Sequence, residues 1–254
     1  MSDPNRFDPE SVDRFRIVDH HYDASSRTAS LRYGLDDRYS FEETITFETA
    51  PPAGLAVDDA GLDRALRHLH IAAGTSYYKT AAPPVIEVEG GGLTASESEF
   101  HGHLYDDGLR EFALANRLPV PRSVTINAAS AAPIDADRLR TRRPGGLLVP
   151  IGGGKDSMVL IESVRHLGPK LFAVNPHPLV IELAAATGLE LIVVHRQLAP
   201  ELARLNAAGA RNGHVPITAI VSLIAVAGSY LYGYDSIAMA IERSASEETR
   251  WVDG

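Results

Sequence analysis

The chain has 254 residues, of which 44% are hydrophobic and 22% charged, a composition that buries a core. Its formal charge of −9 excludes nucleic acid or an anionic membrane as a partner of the bulk surface, so any polyanionic ligand needs a local basic pocket. The absence of cysteine excludes disulfides, thiolate metal sites and two-thiol catalysis.

The opening decapeptide MSDPNRFDPE carries acids and no apolar stretch, so it is not a secretory signal and points to a cytoplasmic protein. Residues 15–22, 28–33 and 41–47 alternate apolar and polar side chains and predict a small antiparallel meander, ended by Pro51 and Pro52. Residues 58–73 have helical spacing, with Leu62, Leu66, Leu69 and Ala73 on one face, and Gly74 is expected to break the helix. The polar-aromatic cluster Ser76-Tyr77-Tyr78-Lys79 follows. Residues 85–88 read as a short strand before the loop Gly90-Gly91-Gly92, and 96–116 as a second helix that includes Phe100, Leu104 and Phe112. Residues 128–143 lack periodicity and read as a linker; Arg138, Arg140, Arg142 and Arg143 within it either meet a diphosphate or are solvated.

Beyond it the pattern changes. Residues 147–151 form a continuous apolar run, as in a strand covered on both faces. Strands at 171–174 and 189–194 alternate with helices at 156–166, 178–187 and 215–230, and 236–240 reads as a fourth strand. The expected fold is α/β: a smaller α+β module with an antiparallel meander over residues 1–140, then a parallel doubly wound nucleotide-binding sheet over 141–254. The longest apolar stretch, 217–232, is interrupted by Ser222, Gly228 and Ser229 and reads as a buried helix, not a membrane span.

The most informative segment is Gly152-Gly153-Gly154-Lys155-Asp156-Ser157, set between a buried strand and a helix. Glycines let backbone amides approach an anion, and the helix adds unpaired N–H groups and its positive end. Lys155 supplies a charge and Ser157 a hydroxyl. Asp156 either orients the loop or approaches Mg²⁺. The spacing fits neither a Walker A loop, where Ser or Thr follows Lys directly, nor G-x-G-x-x-G. It resembles the PP-loop signature S-G-G-x-D-S with Gly152 at the first position, and that resemblance implies ATP split between its α and β phosphates.

Four blocks in order narrow the resemblance: Gly74 to Lys79 (GTSYYK), Ile151 to Ser157 (IGGGKDS), Asn212 to Pro216 (NGHVP) and Tyr232 to Ser246 (YGYDSIAMAIERSAS). Together they resemble the bacterial UDP-N-acetylmuramoyl-L-alanyl-L-glutamate epimerase (MurL) family. The resemblance implies an enzyme of peptidoglycan precursor synthesis that inverts the terminal L-glutamate of UDP-MurNAc-L-Ala-L-Glu. It implies ATP and Mg²⁺ as cofactors, AMP and pyrophosphate as products, and a functional partnership with the ligase that adds L-glutamate. Family members continue past the last block, so this chain is expected to be either a truncated form or a shorter branch.

The residues suit that chemistry. The α-proton of glutamate is hard to remove beside a free carboxylate, and adenylation removes the negative charge. Such a route needs an ATP loop, a metal and one or two bases, but neither pyridoxal phosphate nor cysteines. Only Lys79, Lys155 and Lys170 could form a Schiff base, and Lys155 belongs to the loop. Candidate catalytic residues are His214, Lys155 and Glu242. Pro216 suits a first helical turn, which sets His214 beside a helix N-terminus, either as a neutral base or as a cap. Candidate substrate-binding residues are Tyr77, Tyr78, Lys79, Asn212 and Arg243; the tyrosines either bind an anion or pack on the sheet, and Glu242 and Arg243 either face a ligand or form a surface ion pair. His20, His21, His68, His70, His101 and His103 lack zinc spacing and read as structural or solvated. Two alternatives stay open: another PP-loop adenylating enzyme, such as an amide-forming ligase, or a non-catalytic nucleotide-binding fragment.

Overall fold

A computed structural model describes residues 6–120, 124–132 and 145–241. The meander forms as expected: β1 (Arg14–Asp23), β2 (Thr28–Leu35) and β3 (Tyr39–Phe47) pair antiparallel in chain order. The first turn is held by Asp23, whose carboxylate accepts from the Ser25 amide at 2.9 Å and from the Ser25 and Ser26 hydroxyls at 2.7 and 2.8 Å.

Helix α1 (Asp59–Ala73) is capped by Asp58, which accepts from the Gly61 amide at 3.1 Å, and it buries Leu62, Leu66, Leu69 and Ala73. Gly74 does not break the chain. It keeps right-handed helical angles (φ −53°, ψ −25°), and α2 (Thr75–Tyr78) carries straight on. A Cβ at Gly74 would come within 2.7 Å of the Tyr105 hydroxyl, so close packing, not a turn, requires this glycine. Strand β4 (Val85–Leu93) absorbs the expected triglycine loop as an irregularity between Glu87 and Gly92 and lies parallel to β1. The expected second helix divides into α3 (Ala95–Asp106) and α4 (Arg110–Ala115). Where a linker was expected, β5 (Thr125–Ser130) pairs parallel with β4; residues 133–143 of that linker, its four arginines among them, lie outside the described residues.

The remaining strands are β6 (Leu147–Pro150), β7 (Lys170–Val174), β8 (Leu191–Gln197) and β9 (Ser236–Ile237), all mutually parallel. Helices α5 (Lys155–Val164), α6 (Pro178–Thr187), α7 (Pro200–Ala207) and α8 (Ile217–Tyr232) connect them. Strand β3 pairs antiparallel with β8, from Thr44↔Gln197 to Phe47↔Val194, so all strands join one nine-stranded sheet ordered β5-β4-β1-β2-β3-β8-β7-β6-β9. The architecture is mixed α/β, with an antiparallel meander and parallel strands.

Neighbouring residues on the parallel strands face opposite ways. Leu148 and Phe172 join the large core beneath α1 and α8, whereas Val149 and Leu171 join Ile161 and Ala184 in a small core beneath α5 and α6. Helix α8 comes close enough to the sheet that a Cβ at Gly228 would meet the Phe172 ring at 2.8 Å. Among the described residues no helix is long and apolar enough to cross a membrane.

Candidate functional site

The glycine loop leaves the C-terminal end of β6. Strand order reverses beside it: β7 and β8 extend the sheet on one side of β6, and the chain then crosses back to lay β9 on the other. Open parallel sheets bind ligands at this reversal, outside the carboxyl ends of the strands. Gly153 has φ +82°, and a Cβ there would meet Val180 of α6 at 2.9 Å. At Gly152 and Gly154 a Cβ would meet nothing within 4 Å, so this side of the loop is open. Gly154 is the N-cap of α5 and offers no side-chain acceptor to the first-turn amides. Lys155 is exposed, Asp156 and Ser157 are half-buried, and no hydrogen bond joins these three side chains to the described residues. The loop thus has unpaired first-turn amides and an exposed Lys155, the groups that the phosphate chain of a nucleotide would need. Asp156 would give a Mg²⁺ one oxygen ligand, and phosphates and water would have to give the others. Among the described residues no group of three or more His, Cys, Asp or Glu could hold a metal by itself.

The same sheet edge carries two further sequence blocks. Helix α8 is linked to β9 by a short turn at its C-terminus, where Gly145 donates to the Gly233 carbonyl at 3.3 Å. Its N-terminus, preceded by Asn212 to Pro216, therefore lies at the carboxyl edge of the strands. Lys79 reaches this segment: Nζ donates to Asn212 Oδ1 at 2.6 Å and to the Gly213 carbonyl at 3.0 Å. Both acceptors are neutral, and no carboxylate among the described residues pairs with this half-buried ammonium. Burial lowers the Lys79 pKa, and Arg196 lowers it further. His214 Nδ1 lies 3.1 Å from Glu111 Oε2, with both side chains largely exposed. Pro216 is the N-cap of α8, so His214 precedes the helix by two residues and is held by Glu111 from α4.

Tyr77 and Tyr78 are fully buried. The Tyr77 hydroxyl accepts from the Ala199 amide at 3.0 Å, and the Tyr78 hydroxyl donates to the Pro83 carbonyl at 3.0 Å. Tyr77 also stacks on Tyr33, with ring centroids 4.7 Å apart. The buried rings fix α2 on the sheet, the packing role that the sequence left open for them, and Lys79 is the side chain of that block that is only partly buried.

Sequence reasoning missed the pair behind Lys79. Arg196 at the end of β8 meets Glu43 of β3 through Nε at 2.6 Å and Nη2 at 3.1 Å, and Nη2 also donates to Ser76 Oγ at 2.9 Å. Both side chains are almost wholly buried. Burial raises the Glu43 pKa despite the attraction of Arg196. Asn175, in left-handed backbone (φ +47°) after β7, brackets the Arg196 backbone with hydrogen bonds of 2.8 and 2.9 Å. Since β7 alone separates β8 from β6, the strand ends bearing Arg196 and the glycine loop are about 10 Å apart. No local signal marks Glu43, Glu111 or Arg196, because their partners lie far off in sequence. Glu242 and Arg243 lie outside the described residues.

The family model for the MurL N-terminal domain matches residues 6–254. The chain is 40% identical over 253 residues to a UDP-N-acetyl-alpha-D-muramoyl-L-alanyl-L-glutamate epimerase from Salinispora tropica, covering 96% of this chain and 54% of that protein. It is 37% identical over 242 residues to the protein of that name from Xanthomonas oryzae pv. oryzae, covering 94% and 53%. To one from a Micromonospora species it is 38% identical over 252 residues, covering 93% and 54%. The chain thus spans about half the length of the curated relatives it matches. No solved structure matches it.

Proposed function

Because the chain belongs to the MurL N-terminal domain family, we propose that it carries the nucleotide-binding half of an ATP-dependent epimerase acting on UDP-MurNAc-L-Ala-L-Glu in peptidoglycan precursor synthesis. The observation that carries this reading is convergence. The Lys79 block meets the segment before α8, and the glycine loop leaves the same carboxyl edge of the sheet, where strand order reverses. The finer fold reading, a PP-loop sheet, belongs to the same proposal and is supported by the strand–glycine–helix passage at Gly152 to Ser157. Residues 1–140 and 141–254 are proposed as its N-terminal module and nucleotide-binding domain.

In this reading the amides of Gly152 to Gly154 and of the first turn of α5 hold the phosphates of ATP, Lys155 neutralises them and Asp156 approaches Mg²⁺. When bound, ATP would transfer AMP to the glutamate carboxylate with loss of pyrophosphate, cancelling its charge and acidifying the α-proton, and hydrolysis of the mixed anhydride would then release AMP. Lys79, tethered by Asn212, provides the cation that attracts an anionic group of the substrate to this edge. His214 donates its Nδ1 proton to Glu111 and keeps the Nε2 lone pair for the α-proton. Glu242 and Arg243 remain proposed as catalytic and substrate-binding residues, and partnership with an L-glutamate-adding ligase is part of the same proposal. A second reading follows from the half-length match: this half binds nucleotide, and inversion needs the polypeptide of the other half.

The test is incubation with ATP, Mg²⁺ and UDP-MurNAc-L-Ala-L-Glu, alone and with the unmatched half of the Salinispora tropica relative. Expected products are D-glutamate after hydrolysis, with AMP and pyrophosphate. ADP as the main nucleotide product would contradict the proposal, and inversion only in the mixed sample would select the second reading.

A further inference from the structure

Helix α6 has the sequence PLVIELAAAT, with Glu182 its one charged residue. A helix that is apolar on all sides is ordinarily buried on all sides. Yet α6 buries only Val180 and Ala184, and leaves Leu179 and Ile181 exposed at 55% and 47%. Its neighbour α5 buries only Ile161 and exposes Val159 at 66%, and Leu167 just after it is 57% exposed. The opposite face of the same strands is the internal contrast. Helix α8 is equally apolar but buries eight residues, because α1 packs along it as a further layer. Over α5 and α6 no such layer exists among the described residues, and the core beneath them holds four buried side chains.

We infer that the outer face of α5 and α6 is an interface, covered by the polypeptide that forms the other half of the longer relatives. Those relatives carry nearly as much chain again as the part matched here. Ala238, just past β9, packs against the small core of α5 and α6, so in a longer relative the chain following this domain departs beside the bare face. A second copy of this chain fits the face less well, since a net charge of −9 on each copy opposes self-association. The interface follows from burial and from the relatives' length, independent of any catalytic role for the glycine loop.

The experiment is sedimentation velocity on this chain mixed with the unmatched half of the Salinispora tropica relative, produced separately. A one-to-one complex is expected. The double variant Leu179→Glu/Ile181→Glu should weaken it by about tenfold or more, since it places two charges in an apolar contact. Both positions are exposed, so the variant should keep the circular dichroism and melting temperature of the parent. Glu99→Lys, on the exposed side of α3, should bind like the parent. Three results would overturn the inference: no complex, a folded double variant that binds as tightly as the parent, or a parent homodimer that the double variant dissolves.

Discussion

Two buried histidines make the stability of this fold depend on acid in a calculable way. His70 of α1 lies against the sheet, where Nε2 donates to the Arg32 carbonyl at 2.9 Å, with the side chains of His20 and Asp19 as its titratable neighbours. His101 of α3 stacks on His68, with ring centroids 5.2 Å apart, near Glu97 and Arg67. Burial pushes the pKa of each down to about 3. In the unfolded chain each returns to about 6.5. A depressed folded-state pKa gives stability that is fully present above about pH 6.5 and lost as pH falls toward about 3, because only the unfolded state takes the proton in that window. Between about pH 7 and pH 5 each histidine therefore removes about 2 kcal/mol, and the pair about 4 kcal/mol. That is a large share of the roughly 5–15 kcal/mol that holds a typical domain together. Urea unfolding at both pH values measures the loss. Comparison with His70→Gln, which keeps a donor for Arg32, and with His101→Gln cancels the contribution of the carboxylates. Each variant should lose about 2 kcal/mol less than the parent over the interval. A His70→Gln curve that falls as steeply with acid as the parent's would refute the reasoning.

Three further predictions concern the site. Gly153→Val forces a β-branched residue into φ +82° and sets its Cβ 2.9 Å from Val180; calorimetry should show loss of ATP binding while circular dichroism keeps the parent fold. His214→Ala should retain pyrophosphate release but cut exchange of the glutamate α-proton with deuterated solvent by ~10²–10⁴-fold, and parental exchange in a folded variant would remove His214 from the mechanism. Glu43→Gln should cost about 3–5 kcal/mol by leaving Arg196 buried without its counter-charge, whereas Glu43→Leu with Arg196→Met should recover most of it, as read by urea midpoints.

The parts of the fold legible in the sequence were those with a local period. The meander alternates because its inner residues, such as Phe15, Ile17 and Leu31, are buried while the residues between them are wetter. The parallel strands read as continuous apolar runs because Leu148 and Val149 serve two different cores. Misreadings arose where tertiary packing overrode a local signal. Gly74 looked like a helix stop, but its missing Cβ makes room for Tyr105 and the helix continues. The triglycine segment looked like a loop but joins β4, where a Cβ at Gly92 would come within 2.6 Å of the Ala129 carbonyl oxygen on β5. Helix α7, with eight residues, was too short for its period to register.

The site divides along the same line. The glycine loop was legible because strand, glycines and helix follow one another in the chain, and the amides that would meet an anion are neighbours in sequence. The cations around it were not, since their placement depends on strand order. Had β8 lain at the far edge of the sheet, Arg196 would be exposed and Lys79 would have no site to face. The antiparallel pairing of β3 with β8 instead buries Glu43 against Arg196, and Arg196 holds Ser76. Tyr77 is fastened to Ala199, and the short helix that carries Ser76 and Tyr77 ends at Lys79. The ammonium then meets Asn212 and Gly213 just ahead of α8. The meander is therefore part of how this sheet edge is built: it supplies the buried carboxylate against which Arg196 and the Lys79 segment are set.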